Sequence, residues 1–262
     1  MLRSLRTAAL GMSAQQLNVD TIANNLANVN TTGYKKNNIE FQDLLYEPIQ
    51  AGGASGNDGN EKPGEIQIGL GNKPISTFRS FTQGNVTETG NSLDVAIDGN
   101  GFLQIQKPDG SYVFTRDGAL RINSTGNLVT ASGLRVFPEV SLPDNVASVN
   151  ISQDGIISVL ISGEPEPEEI GQLELATFMN PAGLRAVGGN LFEQTEACGE
   201  PSYGQPGEEG YGTVLQGFLE KSNVDVVKEM INLIVAQRAY EINSKAVKTA
   251  DEILAMTNNL KR

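Results

Sequence analysis

Histidine is absent from the 262 residues, and cysteine occurs once, at Cys198. The first absence removes the commonest general base and the commonest metal ligand. The second excludes thiolate clusters and intrachain disulfides. Basic residues are also scarce: 19 against 31 acids gives a net charge of -12, with no electrostatic footprint for gripping a phosphate backbone. Nucleic acid is therefore not an expected partner. Long apolar runs are missing too. The longest near the N-terminus, Ala8 to Met12, is shorter than a secretory core of about 7 to 15 residues, and nothing approaches a membrane span of about 20. Neither a cleaved signal nor membrane insertion is expected.

Catalytic and ligand motifs are equally thin. Gly99-Asn100-Gly101 is followed by Gln104 where a dinucleotide fingerprint needs glycine, and no phosphate loop of the GxxxxGK[ST] type exists. No GxSxG elbow is present, and a Ser-His-Asp triad is impossible without histidine. Glu164 to Glu169 alternates acid with proline and reads as a solvated, extended connector rather than a paired-carboxylate site. Acids flank Cys198, which disfavours a reactive thiolate. No catalytic residue, cofactor or metal is expected.

What is present is periodic. Leu2, Leu5, Ala9, Met12, Val19, Ala23 and Leu26 follow a three-four spacing, with Gln16 at the one polar step, and so predict a helix ending near Asn28 to Gly33. A second helix is predicted from about residue 223, with Ser222 as cap and Asp225 reaching back in a capping box. Its stripe is Val227, Ile231, Val235, Ala239, Ile242, Ala246, Ala250, Ile253 and Leu260. Val226 to Val235 is apolar on opposite sides, which implies more than one neighbour. Between the helices, short β-rich runs alternate with Asp98-Gly99, Asp109-Gly110, Asp117-Gly118, Thr125-Gly126, Ser132-Gly133 and Asp154-Gly155, a pattern that predicts hairpins.

The expected fold is α+β. A terminal helical polymerisation domain (1–34 with 222–262) is joined through an extended segment (35–64), with a mobile or assembly-ordered loop at Glu47 to Gly64, to a glycine-rich all-β outer domain (65–221). Seams at both ends of one chain predict helices that pair with each other and associate with further copies.

Ile22 to Lys36, with Asn24, Asn25, Asn28, Thr31, Gly33 and Tyr34, resembles the N-terminal signature of the bacterial flagellar rod and hook proteins. Val235 to Lys245, with Gln237, Arg238, Tyr240 and Glu241, resembles their C-terminal one. Leu93 to Phe102 and Tyr112 to Gly118 extend the likeness inward, and the chain length together with Phe41 to Tyr46, Ile68 to Gly71 and Phe81 to Asn85 is most similar to the distal-rod branch. The resemblance implies a non-enzymatic axial subunit of the basal body, exported without signal cleavage and stacking into a rigid homopolymer that carries motor torque across the periplasm. Implied partners are the proximal rod proteins, the hook protein, the P-ring and L-ring bushing, the export apparatus and the rod cap. A proximal-rod or hook-type protein is the alternative within the family, and a secreted cell-wall-binding or hydrolytic β domain the alternative outside it.

Overall fold

A computed structural model describes residues 2–50, 65–143, 145–162 and 166–259, Leu2 and Gln50 in backbone only. Leu260, most of the glycine-rich stretch after Gln50, and Glu164 lie outside the described residues. Two helices frame the chain, α1 (Leu2–Ala27) and α2 (Val226–Asn259), with short strands between them, so the α+β expectation holds. Helix α1 stops where Asn28 to Gly33 form turns and Gly33 takes φ +66°, a left-handed conformation that costs glycine little. Helix α2 begins later than the expected cap. Ser222 sits in the turn before it, accepting the Val224 N–H at 3.3 Å, and the cap position falls at Asp225.

Two compact units divide the chain, the first made of 1–26, 37–78 and 226–262, the second of 27–36 and 79–225. These bounds differ from the sequence expectation because the supposed extended segment is partly strand. Asn37–Asp43 pairs with Asn72–Arg79, and Tyr46–Gln50 runs antiparallel to Ile66–Gly69, so residues 66–78 join the helices rather than the β-rich part.

In the first unit α1 and α2 are antiparallel. Asn25 meets Glu229 near one end, and Gly11 lies against the Asn243 side chain further along. The face of α1 turned inward runs Ala8, Gly11, Gln15, Asn18, Ile22, Asn25, and that of α2 runs Glu229, Asn232, Ala236, Ala239, Asn243, Val247, Ala250. Both follow the three-four spacing of a coiled-coil seam. Small and polar residues dominate it, and at Gly11 the Asn243 side chain fills the space a side chain would take: a β-carbon there would stand 2.9 Å from its amide nitrogen.

The second unit holds a nine-stranded sheet, its central path being Arg185–Gly188, Leu191–Glu193, Tyr112–Thr115, Phe102–Gln106, Arg135–Phe137, Leu128–Thr130, Leu120–Ile122. Leu175–Thr177 and Ser202–Gly204 complete it as a branch from Phe102–Gln106. Val146–Ile151, Ile156–Ile161 and Glu168–Gln172 form a three-stranded sheet. Inward residues Ile105, Val113, Leu120, Val136, Ile157 and Val159 make one core. A second gathers Phe102, Phe114, Phe178 and Phe192 edge to face around Cys198, with Phe114 and Phe178 at 4.8 Å. Cys198 is accordingly a buried packing residue.

Four of the six expected turns close hairpins, at Asp109-Gly110, Thr125-Gly126, Ser132-Gly133 and Asp154-Gly155. The other two do not. Val95–Asp98 pairs with the distant Thr213–Gln216, so Asp98-Gly99 only redirects the chain. Gly118 is required for close approach, since a β-carbon there would stand 1.6 Å from the Val95 carbonyl oxygen. The strand expected around Leu173 to Leu175 forms two residues later, and Leu173 itself enters the core. Glu168 and Glu169, expected in a solvated connector, open a strand opposite Ser158 and Val159 and stay exposed.

Candidate functional site: an uncovered apolar helical face

Because polar and small residues fill the seam, the bulky apolar side chains of α2 are left outside it. Val227, Met230, Ile231, Ile234, Val235, Ile242, Ile253 and Met256 are all exposed, Val235 at 62% and Ile242 at 65%. Leu17 on α1 is exposed, and so are Leu45 (82%), in the link between two strands, and Tyr46, Ile49, Ile66 and Ile75 on the paired strands of the same unit. Where exposed side chains of this kind adjoin one another, the surface they make is characteristic of interaction sites.

The expected seam residues can now be placed. Ala250 is buried; Leu5, Met12, Val19, Leu26 and Ala239 are half-buried; Ala9, Ala23, Val227, Ile231, Val235, Ile242, Ala246 and Ile253 are exposed. Most lie one residue away from the face that pairs within the chain, a rotation of about 100°. The signature residues flank the same face: Val19, Gln16, Gln237, Tyr240 and Glu241 line an open groove of about 390 Å³, and Arg238 donates to Glu241 at 3.0 Å. Asn24 lies on the exposed side of α1.

Asn25 is the polar pin of the first unit. Fully buried, it accepts the Asn37 N–H at 3.0 Å and donates to the Asn37 carbonyl at 2.9 Å and to Glu229 at 3.3 Å. Asn25→Leu removes the partners of both Asn37 backbone groups and is expected to cost about 2–4 kcal/mol, read from the urea midpoint of the purified chain.

In the second unit the segment after α1 is tied to the strand before α2. Asn28 accepts the Thr31 hydroxyl at 3.2 Å, and Gly33 donates its N–H to the Glu220 carbonyl at 2.8 Å. A β-carbon on Gly33 would stand 2.7 Å from the Asp117 nitrogen. Tyr34 is buried with the Arg79 guanidinium 5.6 Å from its ring centre, and Lys36 donates its N–H to Asn223 at 2.7 Å. Beneath them lies an ionic centre that sequence reasoning missed. Lys35, 0% exposed, donates to Glu220 Oε1 at 2.6 Å and to the Thr82 carbonyl at 2.9 Å. Arg116 approaches the second Glu220 oxygen at 3.5 Å and donates to the Ile97 carbonyl at 3.2 Å. Burial pulls the Lys35 ammonium below its ordinary value; Glu220 opposes that and Arg116 adds to it. Burial likewise lowers Arg116. Lys35 and Arg116 both fall within strings that carry the family resemblance, but nothing in the sequence couples them to Glu220.

Among the described residues no cluster of three or more potential metal ligands occurs, and no helix is long and apolar enough to cross a membrane. The fold defines a class, an α+β protein of two long terminal helices and a β-rich middle, with bulky apolar side chains exposed on the second helix. Comparison with known proteins makes that class specific. The model described as flagella basal body rod protein matches residues 5–35, the flagellar hook protein FlgE/F/G D1 domain matches 96–159, and the flagellar basal body rod FlgEFG protein C-terminal matches 215–260. The chain is 50% identical to the flagellar basal-body rod protein FlgG of Borreliella burgdorferi over 264 residues, covering 100% of both. It is 47% identical to that of Caulobacter vibrioides over 261 residues (99% and 100% covered) and 39% identical to that of Bacillus subtilis over 268 residues (100% of each). The chain belongs to the flagellar basal-body rod and hook family, a family of structural subunits.

Proposed function

We propose that this chain is the subunit of the distal rod, copies of which stack helically into the drive shaft that carries motor torque across the periplasm to the hook. The observation that carries this reading is the exposure of bulky apolar side chains on α2 and on the strands in its unit. Full-length similarity to rod proteins named FlgG supports the rod over the hook. On this reading the subunit is exported without signal cleavage through the flagellar export apparatus and assembles under the rod cap. Proximal rod proteins lie below it, the hook protein above, and the P-ring and L-ring around it. No catalytic step belongs to this role.

Deleting residues 226–262 removes the largest part of the apolar face while keeping Glu220 and Asn223, which belong to the second unit. The truncated chain is expected to stay soluble and to form no filaments by sedimentation or negative-stain microscopy. Tubes formed by it would overturn the proposal. Labelling the chain in isolated basal bodies separates distal from proximal placement.

A further inference from the structure

The net charge is divided unevenly between the two units. The first carries 11 acids and 10 bases, a net of -1, whereas the second carries 20 acids and 9 bases, a net of -11. Most of the second unit's acids are exposed: Glu88, Asp98, Asp109, Glu166, Glu168, Glu169, Glu196, Glu200, Glu208 and Glu209 all face solvent. Few have a cationic neighbour. Ion pairs in this unit include Glu139 with Arg135, Glu193 with Arg185, and the buried Glu220 centre. Most of the exposed large apolar side chains lie in the unit that is almost neutral, though Met179, Tyr203 and a few others are exposed in the acidic one.

We propose that this division makes self-assembly salt-gated: apolar faces on the neutral unit attract, the acidic β-rich units repel, and ionic strength sets the concentration at which attraction prevails. The inference rests on the polymer reading above. Any packing that brings copies together through the first unit also concentrates eleven negative charges per copy from the second. At about 0.01 M salt the screening length is about 30 Å, so neighbouring units feel one another; at about 0.15 M it is about 8 Å and only the nearest charges do. Repulsion grows as the product of the charges, so removing four of eleven cuts it to about 40%. The consequence is a subunit kept monomeric in dilute buffer despite its apolar face.

The test uses the full chain and measures its critical concentration for sedimentable polymer in NaCl from about 0.01 to 0.5 M. It is repeated on a variant carrying Glu166→Gln, Glu168→Gln, Glu196→Gln and Glu200→Gln. The wild type is expected to drop about tenfold in critical concentration as salt rises, and the variant to assemble at lower salt with a slope less than half as steep. Equal slopes would mean that salt acts by strengthening apolar association alone, and would overturn the charge-gating proposal while leaving the polymer reading intact. Salt-independent assembly would overturn it in the same way. A chain that polymerises at no salt or concentration sinks the polymer reading itself and this inference with it. Circular dichroism of the variant monomer confirms that its fold is unchanged.

Discussion

Glu220→Gln is expected to destabilise the full chain by about 3–5 kcal/mol, the largest single-residue loss in the molecule. Glu220 is 2% exposed and faces two buried cations, Lys35 at 2.6 Å and Arg116 at 3.5 Å. It also accepts the Gly84 N–H at 2.8 Å. Glutamine retains an acceptor for that N–H but supplies no charge, so two cations remain buried without compensation. The loss should be partly reversed by adding Lys35→Met, because deleting one stranded cation relieves the penalty that its partner's removal created. The double-mutant cycle should show coupling of about 1–3 kcal/mol. Additive effects would mean that Lys35 and Glu220 are merely neighbours.

The same centre fixes a pH response. Burial already holds Lys35 below its ordinary 10.5, and losing Glu220 removes the negative charge and hydrogen-bond acceptor that oppose this. Where the folded lysine is neutral and the unfolded one still protonated, the unfolded state binds more protons, so stability rises with pH. The window lies between the depressed folded value and 10.5 and is wider in Glu220→Gln than in the wild type. The variant should therefore regain stability between pH 7 and 10, at up to about 1.4 kcal/mol per pH unit for one proton. Urea midpoints at both pH values read this directly. A midpoint in the variant that falls over this range would contradict the sign.

The consequence reaches beyond stability. Gly33, Tyr34 and Lys36 on one side, and Glu220 and Asn223 on the other, hold the segment leaving α1 beside the segment entering α2. These strands and turns were only partly legible in the sequence. Regular Asp-Gly and Thr-Gly signals identify hairpins because they report local backbone needs. Gly118 looks identical, yet it answers to the carbonyl of Val95, a contact made by folding and absent from any local pattern. The ionic centre is hidden for the same reason, since 185 positions separate Lys35 from Glu220.

The helices show a different limit. Their existence and approximate extent follow from three-four periodicity, but the pairing face does not. A search for bulky apolar side chains finds Val227, Ile231, Val235 and Ile242, whereas the chain pairs with itself through Ala8, Gly11, Asn25, Ala236 and Asn243. Close approach favours small residues, and a buried Asn or Glu fixes register at some cost in stability, as polar residues do in coiled-coil seams. Hydrophobicity therefore marks the side of the helix that the described protomer leaves exposed. Ser222 likewise resembles a cap because capping motifs are short and tolerate a shift of a turn; the helix starts only after Asn223, whose side chain is bonded to Ser80 and Thr82.

That separation makes the decisive substitution unusually clean. Val235→Asp and Ile242→Asp place a carboxylate on side chains that are 62% and 65% exposed in the protomer. Neither enters the seam with α1, so monomer stability should change by no more than about 0.5 kcal/mol, as for exposed positions generally. In a polymer that covers the same face, an unpaired carboxylate would be buried at a cost of several kcal/mol per subunit, repeated at every contact. At about 1.4 kcal/mol per tenfold, a penalty of 3 kcal/mol raises the critical concentration by more than a hundredfold. The expected result is an undiminished urea midpoint together with loss of sedimentable polymer, and loss of motility when the variant replaces the native chain. Unfolding of the monomer would make Ile242 and Val235 core residues of a single chain. Normal assembly would leave the exposed face without a role in the shaft, and the contact would have to be sought on the apolar strands around Leu45 and Ile75 instead.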